Sequence, residues 1–255
     1  MSSSAPSASS QHTRSGGFQT PGKTIVQVEK VTKVYGSGKV AVRALSDVDL
    51  AITTGEFSAL AGPSGSGKST LLNIISGLDA PSEGRVTVDG VDVTGLSGGA
   101  ASRMRLFKIG FVFQSYNLLP VLTAFENAEY VLMLQGVPAA ERRTRVRAVL
   151  ARVGLEGLEN RFPRELSGGQ QQRVAIARAI AAEPALVLAD EPTANLDSKT
   201  GAALIELMLE LNQEKGVTFL FSSHDRQVLS RARRLLVLTD GRIHFDGPPA
   251  QSGFL

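Results

Sequence analysis

The 255-residue sequence contains no cysteine. That absence removes disulfides, a thiolate nucleophile and any cysteine-ligated metal from the possible chemistry, and it fits a reducing cytoplasm better than an oxidising compartment. Long apolar runs are missing too: none approaches the ~18 residues that a membrane-spanning helix needs, so the chain itself is not expected to cross a bilayer. Residues 1–22 are rich in Ser, with Gln, Thr, Pro and Gly, and hold no apolar block that could form the core of a secretory signal, so they read as a disordered extension. No heptad run is present, and charge of one sign is in only slight excess, with a net +3. Much of the basicity falls on Arg142, Arg143, Arg145, Arg147 and Arg152, which alternate at helical spacing with Val146, Val149, Leu150 and Val153. This pattern reads as the solvated face of a helix rather than a nucleic-acid surface.

What is present, 42% hydrophobic and 20% charged residues, suits one globular domain with a sizeable core. From Thr24 to Ile52 the chain is strand-like, punctuated by Gly36 and Gly38 and closed by Gly55. Phe57 to Ala61 is a short apolar strand running into a glycine-rich turn, and helical periodicity follows from Ser69 to Gly77. Val86 to Val93, centred on Asp89-Gly90, predicts a hairpin, and Ile109 to Phe113 another strand. Ala124 to Gln135 and Ala139 to Val153 are helical in pattern, which suggests an all-helical insertion over about 117–165. Beyond it come a helix at Gln170 to Ala182, a strand at Ala185 to Ala189, a helix at Gly201 to Gln213, and strands at Val217 to Phe221 and Leu235 to Leu238. Strands and helices that alternate in this way predict a parallel α/β core. The domain is expected to run over 23–247, with a short tail over 248–255.

Gly62-Pro63-Ser64-Gly65-Ser66-Gly67-Lys68-Ser69 fits G-x-x-x-x-G-K-S/T between a strand and a helix. The physical reading is a phosphate cradle. Gly62, Gly65 and Gly67, with Ser64 and Ser66 between them, let backbone N–H groups converge on phosphate oxygens. The helix that carries Lys68, Ser69 and Thr70 presents its positive N-terminus, Lys68 adds a point charge, and Ser69 offers a hydroxyl to Mg²⁺. A dinucleotide fingerprint is disfavoured, since the third glycine is missing after Gly65-Ser66-Gly67. Asp190-Glu191 follows the apolar strand at its carboxyl end, where ligands of open α/β sheets bind. Asp190 would hold Mg²⁺ and Glu191 would polarise an attacking water; solvated acids at a strand end would look the same.

Leu166-Ser167-Gly168-Gly169-Gln170, followed by Gln171-Gln172-Arg173, matches the signature of ABC-type ATPases, and the resemblance extends over roughly residues 24–245. It implies a P-loop NTPase core with a mostly parallel sheet, an N-terminal antiparallel β subdomain and an inserted α-helical subdomain. A Ser-Gly-Gly turn opening a helix is also an ordinary N-cap. By resemblance, Ser167, Gly168, Gly169 and Gln170 cover the γ-phosphate of ATP bound by the other subunit of a head-to-tail dimer, whether a second copy or a homologous ATPase. Tyr35 resembles the aromatic residue that stacks on adenine, Gln114 the glutamine that touches Mg²⁺ and the attacking water, and His224 the histidine that grips the γ-phosphate. Asn195-Leu196-Asp197 resembles the loop that crosses the dimer. His12 and His244 read as surface or packing residues.

The segments Asn73 to Asp79, Gly110 to Pro120 and Asn195 to Gly201 look most like the lipoprotein-release and macrolide-efflux ATPases. Ala194 departs from that group's usual Gly, and Ser222-Ser223-His224 from its commoner Thr-His. The implied partners are transmembrane permease subunits with extracytoplasmic domains, no nucleic acid is expected, and the implied location is peripheral, on the cytoplasmic face of the inner membrane. The implied reaction is ATP hydrolysis with Mg²⁺, which drives dimer closure and reopening. An alternative is an ATPase that transmits force to a membrane partner to regulate an envelope process without moving a substrate. Soluble ABC proteins of translation or repair normally carry tandem cassettes or long coiled coils, which this chain lacks.

Overall fold

The computed structural model describes residues 22–254. The extension expected over 1–22 lies, except for Gly22, outside the described residues. The chain opens with strands β1 (Thr24–Tyr35), β2 (Val42–Thr53) and β3 (Phe57–Ala61), then helix α1 (Lys68–Ile75). Strands β4 (Glu83–Val88) and β5 (Val91–Asp92), helix α2 (Gly98–Lys108) and strand β6 (Ile109–Val112) follow. Helices α3 (Ala124–Leu134), α4 (Ala139–Arg152) and α5 (Gly168–Ile180) separate β6 from β7 (Leu186–Ala189). The remainder is α6 (Ser198–Lys215), β8 (Phe219–Ser223), α7 (Arg226–Leu229), β9 (Arg234–Thr239) and β10 (Arg242–Gly247).

Two sheets form. One is antiparallel with order β2-β1-β4-β5; the other has order β10-β9-β3-β8-β7-β6 and is parallel except for β10. The parallel strands read as continuous apolar runs because both faces of their sheet are covered. Alternation still sorts each strand by face. Phe57, Ala59, Ala61, Val187, Ala189, Phe219, Phe221, Leu235 and Val237 join the core shared with α3 to α6. Leu60, Leu186, Leu188, Leu220, Leu236 and Leu238 join the core under α1 and the antiparallel sheet. Phe57 packs edge-to-face with Phe219 and tilted against Phe221, with ring centroids 5.6 and 5.1 Å apart.

The arginine-rich face of α4 is a solvated one. Val146 and Leu150 are buried beneath it, while Arg142 pairs with Glu129, Arg145 with Glu141 and Arg152 with Glu214. Three elements were not expected from the sequence. Helix α2 begins with Gly98-Gly99 and buries only Ala101 and Met104, so it lacks an apolar stripe; what starts it is the Ser97 hydroxyl, which accepts the Ala100 N–H. Helix α7 spans a single turn, capped by Asp225. Strand β10 lies at an edge with only Ile243 and Phe245 half-buried, too few to signal. Strand β8 also sits two residues later than the apolar run suggests. Its register is set by Phe219 opposite Phe57, and Ser222 and Ser223 extend it as fully buried residues.

One polar network fastens the amino ends of β3 and β9. The Glu56 carboxylate accepts from the Thr53 N–H and hydroxyl, the Ser58 hydroxyl and the Arg234 guanidinium, and Arg234 also donates twice to Asp246 of β10. Burial works to raise the Glu56 carboxyl, but the Thr53 and Ser58 hydrogen bonds and the Arg234 charge outweigh it and hold the pKa below the usual carboxylate range. A carboxyl depressed in the folded state stabilises the fold above its unfolded pKa of ~4.3, and that contribution disappears as pH falls through the folded value. Glu56→Gln is therefore expected to lower the thermal midpoint at pH 7, with the gap to the unsubstituted protein closing below about pH 4. Thermal unfolding across pH 3–8 measures this.

Candidate active site

Strand β3 ends at Ala61, and residues 62–67 turn back over its carboxyl end to start α1. The turn is tight because it is wedged. A Cβ on Gly62 would lie 2.0 Å from the Leu238 carbonyl oxygen, and one on Gly67 would lie 2.5 Å from that of Ala44 in β2. Gly67 also has φ +106°, a left-handed value that disfavours side chains. Lys68 is 8% exposed, and its ammonium folds across the loop to donate to the Gly62 and Pro63 carbonyls at 2.8 and 3.1 Å. It pairs with no carboxylate among the described residues, so its charge is free to meet an anion at the loop mouth. The Ser66 hydroxyl is buried there without a hydrogen-bond partner.

A cleft of about 490 Å³ opens over this loop. Ser64, Gly65, Gly67, Lys68, Ser69 and Thr70 line one side, and Gln114, Glu191 and His224 the other, with Ala44 at the rim. Residues far apart in sequence meet here because β3, β6, β7 and β8 are parallel neighbours whose carboxyl ends share one edge. Asp190 and Glu191 directly follow β7, Gln114 follows β6, and His224 follows β8.

The acids are held closely. Asp190 donates its N–H to the Val112 carbonyl at 2.9 Å, which continues the ladder one residue past β7. Glu191 then turns with φ +47°, and its N–H donates to the Ser222 hydroxyl at 2.9 Å. The same hydroxyl donates to Asp190 Oδ1 at 2.7 Å. Nδ1 of His224, whose side chain is 68% exposed, lies 3.0 Å from Glu191 Oε2. Asn195 Nδ2 donates to the Gln114 carbonyl at 2.8 Å and so links the loop after β6 to the loop before α6.

Ser69, Gln114 and Asp190 together offer a hydroxyl, an amide and a carboxylate, all hard oxygen donors of the kind Mg²⁺ takes. Among the described residues no group of three or more His, Cys, Asp or Glu could hold a metal. A cation here would be shared with phosphate oxygens, the usual arrangement for Mg²⁺.

Gly62, Ser66 and Asp190 adjoin lining residues in sequence without lining the cleft themselves, and two further sets of residues singled out from the sequence do not line it either. Ser167, Gly168, Gly169 and Gln170 open α5, where a reciprocal capping box forms. The Ser167 hydroxyl accepts the Gln170 N–H at 3.3 Å, and the Gln170 side chain accepts the Ser167 N–H at 2.9 Å. Ser167 is exposed and the other three are half-buried. Tyr35, at the end of β1, does not line the cleft either, although its hydroxyl reaches Thr70, which does. Its hydroxyl donates to Asp79 Oδ2 at 2.7 Å, and the Lys33 ammonium lies 4.7 Å from its ring centroid. Burial and the Asp79 carboxylate push its phenol pKa up.

Sequence reasoning named neither Ala44 nor Ser222 as part of the site. Ala44 contributes backbone and carries no signal. Ser222 left one trace, a hydroxyl where an otherwise apolar strand would continue.

Known proteins resemble this chain in sequence and fold. The profile of the ABC transporter family matches residues 45–194. The lipoprotein-releasing system ATP-binding protein LolD of Anaeromyxobacter dehalogenans is 48% identical over 229 residues, covering 89% of this chain and 96% of that protein. The macrolide export ATP-binding/permease protein MacB of Brucella melitensis is 45% identical over 225 residues, covering 88% of this chain and 35% of that protein. Among solved structures, a dimeric post-hydrolysis state of the ATP-binding cassette MJ0796 of Methanocaldococcus jannaschii, bound to ADP and Pi, superposes with a TM-score of 0.82. Its identity is 44%, over 88% of this chain and 99% of that one. With a phosphate loop, paired acids and a signature turn on one such fold, the chain belongs to the ABC transporter family as an ATPase cassette of the LolD and MacB group.

Proposed function

We propose that this ATPase works as a head-to-tail dimer on a separate membrane-spanning permease, of the export or lipoprotein-release type. The observation that carries the dimer is the separation of two anion-binding elements. The cleft over Lys68 is equipped for phosphates, while the N-terminus of α5, with Ser167 exposed, does not line it, and a helix N-terminus attracts negative charge. A second copy, turned about, would bring that terminus over the first copy's nucleotide. The solved structure of MJ0796, bound to ADP and Pi, is dimeric, which supports a dimer for this chain as well.

In this reading Lys68 and the amides of residues 64–69 bind the β- and γ-phosphates, and Ser69, Asp190 and Gln114 hold Mg²⁺. Mg²⁺ held by them would offset the charge of the phosphates. Glu191 orients the attacking water and accepts its hydrogen bond, and His224, 3.0 Å from Glu191, holds the γ-phosphate in line. Tyr35, its ring fixed by Asp79 and Lys33, stacks on adenine. ATP contacts both faces of the closed dimer and only one of the open dimer, so binding favours closure by that difference; hydrolysis removes the bridging phosphate.

The permease is supported by a surface. Among the described residues no helix is long and apolar enough to cross a membrane. A groove of about 870 Å³ lies between α2, β6 and α3, next to the loop that carries Gln114. Phe107, Phe111, Phe113 and Leu134 line it, and Phe107 and Leu134 are exposed. Contiguous exposed apolar side chains of this kind mark interaction sites, and here a partner would press on the glutamine loop.

Two results are expected. Glu191→Gln lowers steady-state hydrolysis by ~100-fold or more while ATP now yields a stable dimer in size-exclusion chromatography; hydrolysis at the normal rate would remove Glu191 from the role. Phe107→Asp combined with Leu134→Asp leaves ATP binding intact but releases the membrane partner in a detergent pull-down, and undiminished retention would move the docking surface elsewhere.

A further inference from the structure

The geometry points to Ser222 as a positioning residue that sets both active-site acids at once. This rests on the roles given above to Asp190 and Glu191.

Strands β7 and β8 remain in register as far as Ala189 opposite Phe221. One residue further, β7 leaves the sheet, and Ser222 is left facing the departing chain while its other neighbour, Leu60 of β3, stays paired. Ser222 is fully buried, and a buried hydroxyl is costly unless its hydrogen bonds are made. Here it makes two, and both go to consecutive acidic residues. It accepts the Glu191 N–H at 2.9 Å and donates to Asp190 Oδ1 at 2.7 Å.

Each bond has a separate effect. Glu191 has φ +47°, which places its N–H outside the sheet ladder. Non-glycine residues hold such a conformation only when their surroundings fix it. The Ser222 oxygen supplies the missing acceptor, and the turn it secures directs the Glu191 side chain toward His224. The second bond engages one oxygen of Asp190 and restrains the carboxylate's rotation, so that Oδ2, unengaged by Ser222, is held in place for a cation. One hydroxyl thus couples the residue assigned to the metal with the residue assigned to the water. An alanine or valine would fill the strand position but supply neither bond.

The test uses the full chain with S222A, S222V and the hydroxyl-retaining S222T. Hydrolysis is followed over ATP and Mg²⁺ concentrations, alongside nucleotide binding and thermal unfolding. S222A and S222V are expected to lower kcat roughly ten-fold with KM for ATP unchanged, and to raise the half-saturating Mg²⁺ concentration several-fold. S222T is expected to restore both. The proposal is overturned if S222A keeps kcat and Mg²⁺ dependence within two-fold of the unsubstituted protein, or if nucleotide-binding capacity falls in step with kcat, which marks a purely structural role. Should the extra methyl of S222T reduce the thermal midpoint, the Mg²⁺ shift of S222A decides alone. D190N and E191Q in the same assay separate the two levels. Full activity in both would remove the roles assigned to the acids; inactivity in both with an unaffected S222A would remove only Ser222.

Discussion

Parallel pairing of strands β3, β6, β7 and β8 is the constraint on which the site depends. Because the four strands point the same way, their carboxyl ends form one edge, and whatever follows each strand is delivered there: the phosphate loop, Gln114, Asp190 with Glu191, and His224. Such pairing demands cover on both faces, since parallel strands are joined by crossovers that lie over the sheet. The two apolar cores meet that demand. Each fully buried Phe or Leu in them contributes ~1.5–3 kcal/mol relative to exposure, so the energy that fixes this edge comes largely from side chains that do not line the cleft.

Polar groups then refine what the cores place. At the amino ends of the strands, Glu56 and Arg234 satisfy one another and several neighbours, a stabilising use of charge. At the carboxyl ends charge is left incompletely matched. Lys68 is held only by carbonyls, and Asp190 keeps an oxygen unengaged by Ser222. A buried cation without a counter-ion is unfavourable unless an anion arrives, so the same fold tolerates in its binding edge what it avoids at the opposite one.

The fold class was largely legible from the sequence, because β7 and β9 carry uninterrupted apolar runs, β3 and β8 are mostly apolar, and α5 carries a strong helical period. The phosphate loop was legible for a different reason: glycines at fixed spacing between a strand and a helix have few other physical explanations. Less of the remainder could be read. Helix α2 hides behind two glycines and an almost polar face, and β10 behind edge-strand alternation. The end of β8 was misjudged because buried serines look like a strand's exit until their partners are known, and those partners, Asp190 and Glu191, lie more than thirty residues away. Tyr35 was recognisable as an aromatic at the end of a strand, but its tether to Asp79 and Lys33 depends on a turn that follows α1. Local pattern reaches as far as the element; contacts between the ends of different elements do not appear in it.

The wedge around the phosphate loop has a further consequence. Gly62 abuts the Leu238 carbonyl, while Gly67 and Gly241 both abut that of Ala44, with Gly241 leaving only 2.7 Å for a Cβ. Segments from the antiparallel sheet, the loop and the β9–β10 turn therefore share a seam with no spare volume. Substitution at any one of the three glycines cannot be accommodated by trimming a side chain elsewhere, because the nearest obstructing atoms are backbone. The start of α1 is thus seated directly on the backbone of β2 and of the β9–β10 turn, with no side chain between them to absorb a change in spacing.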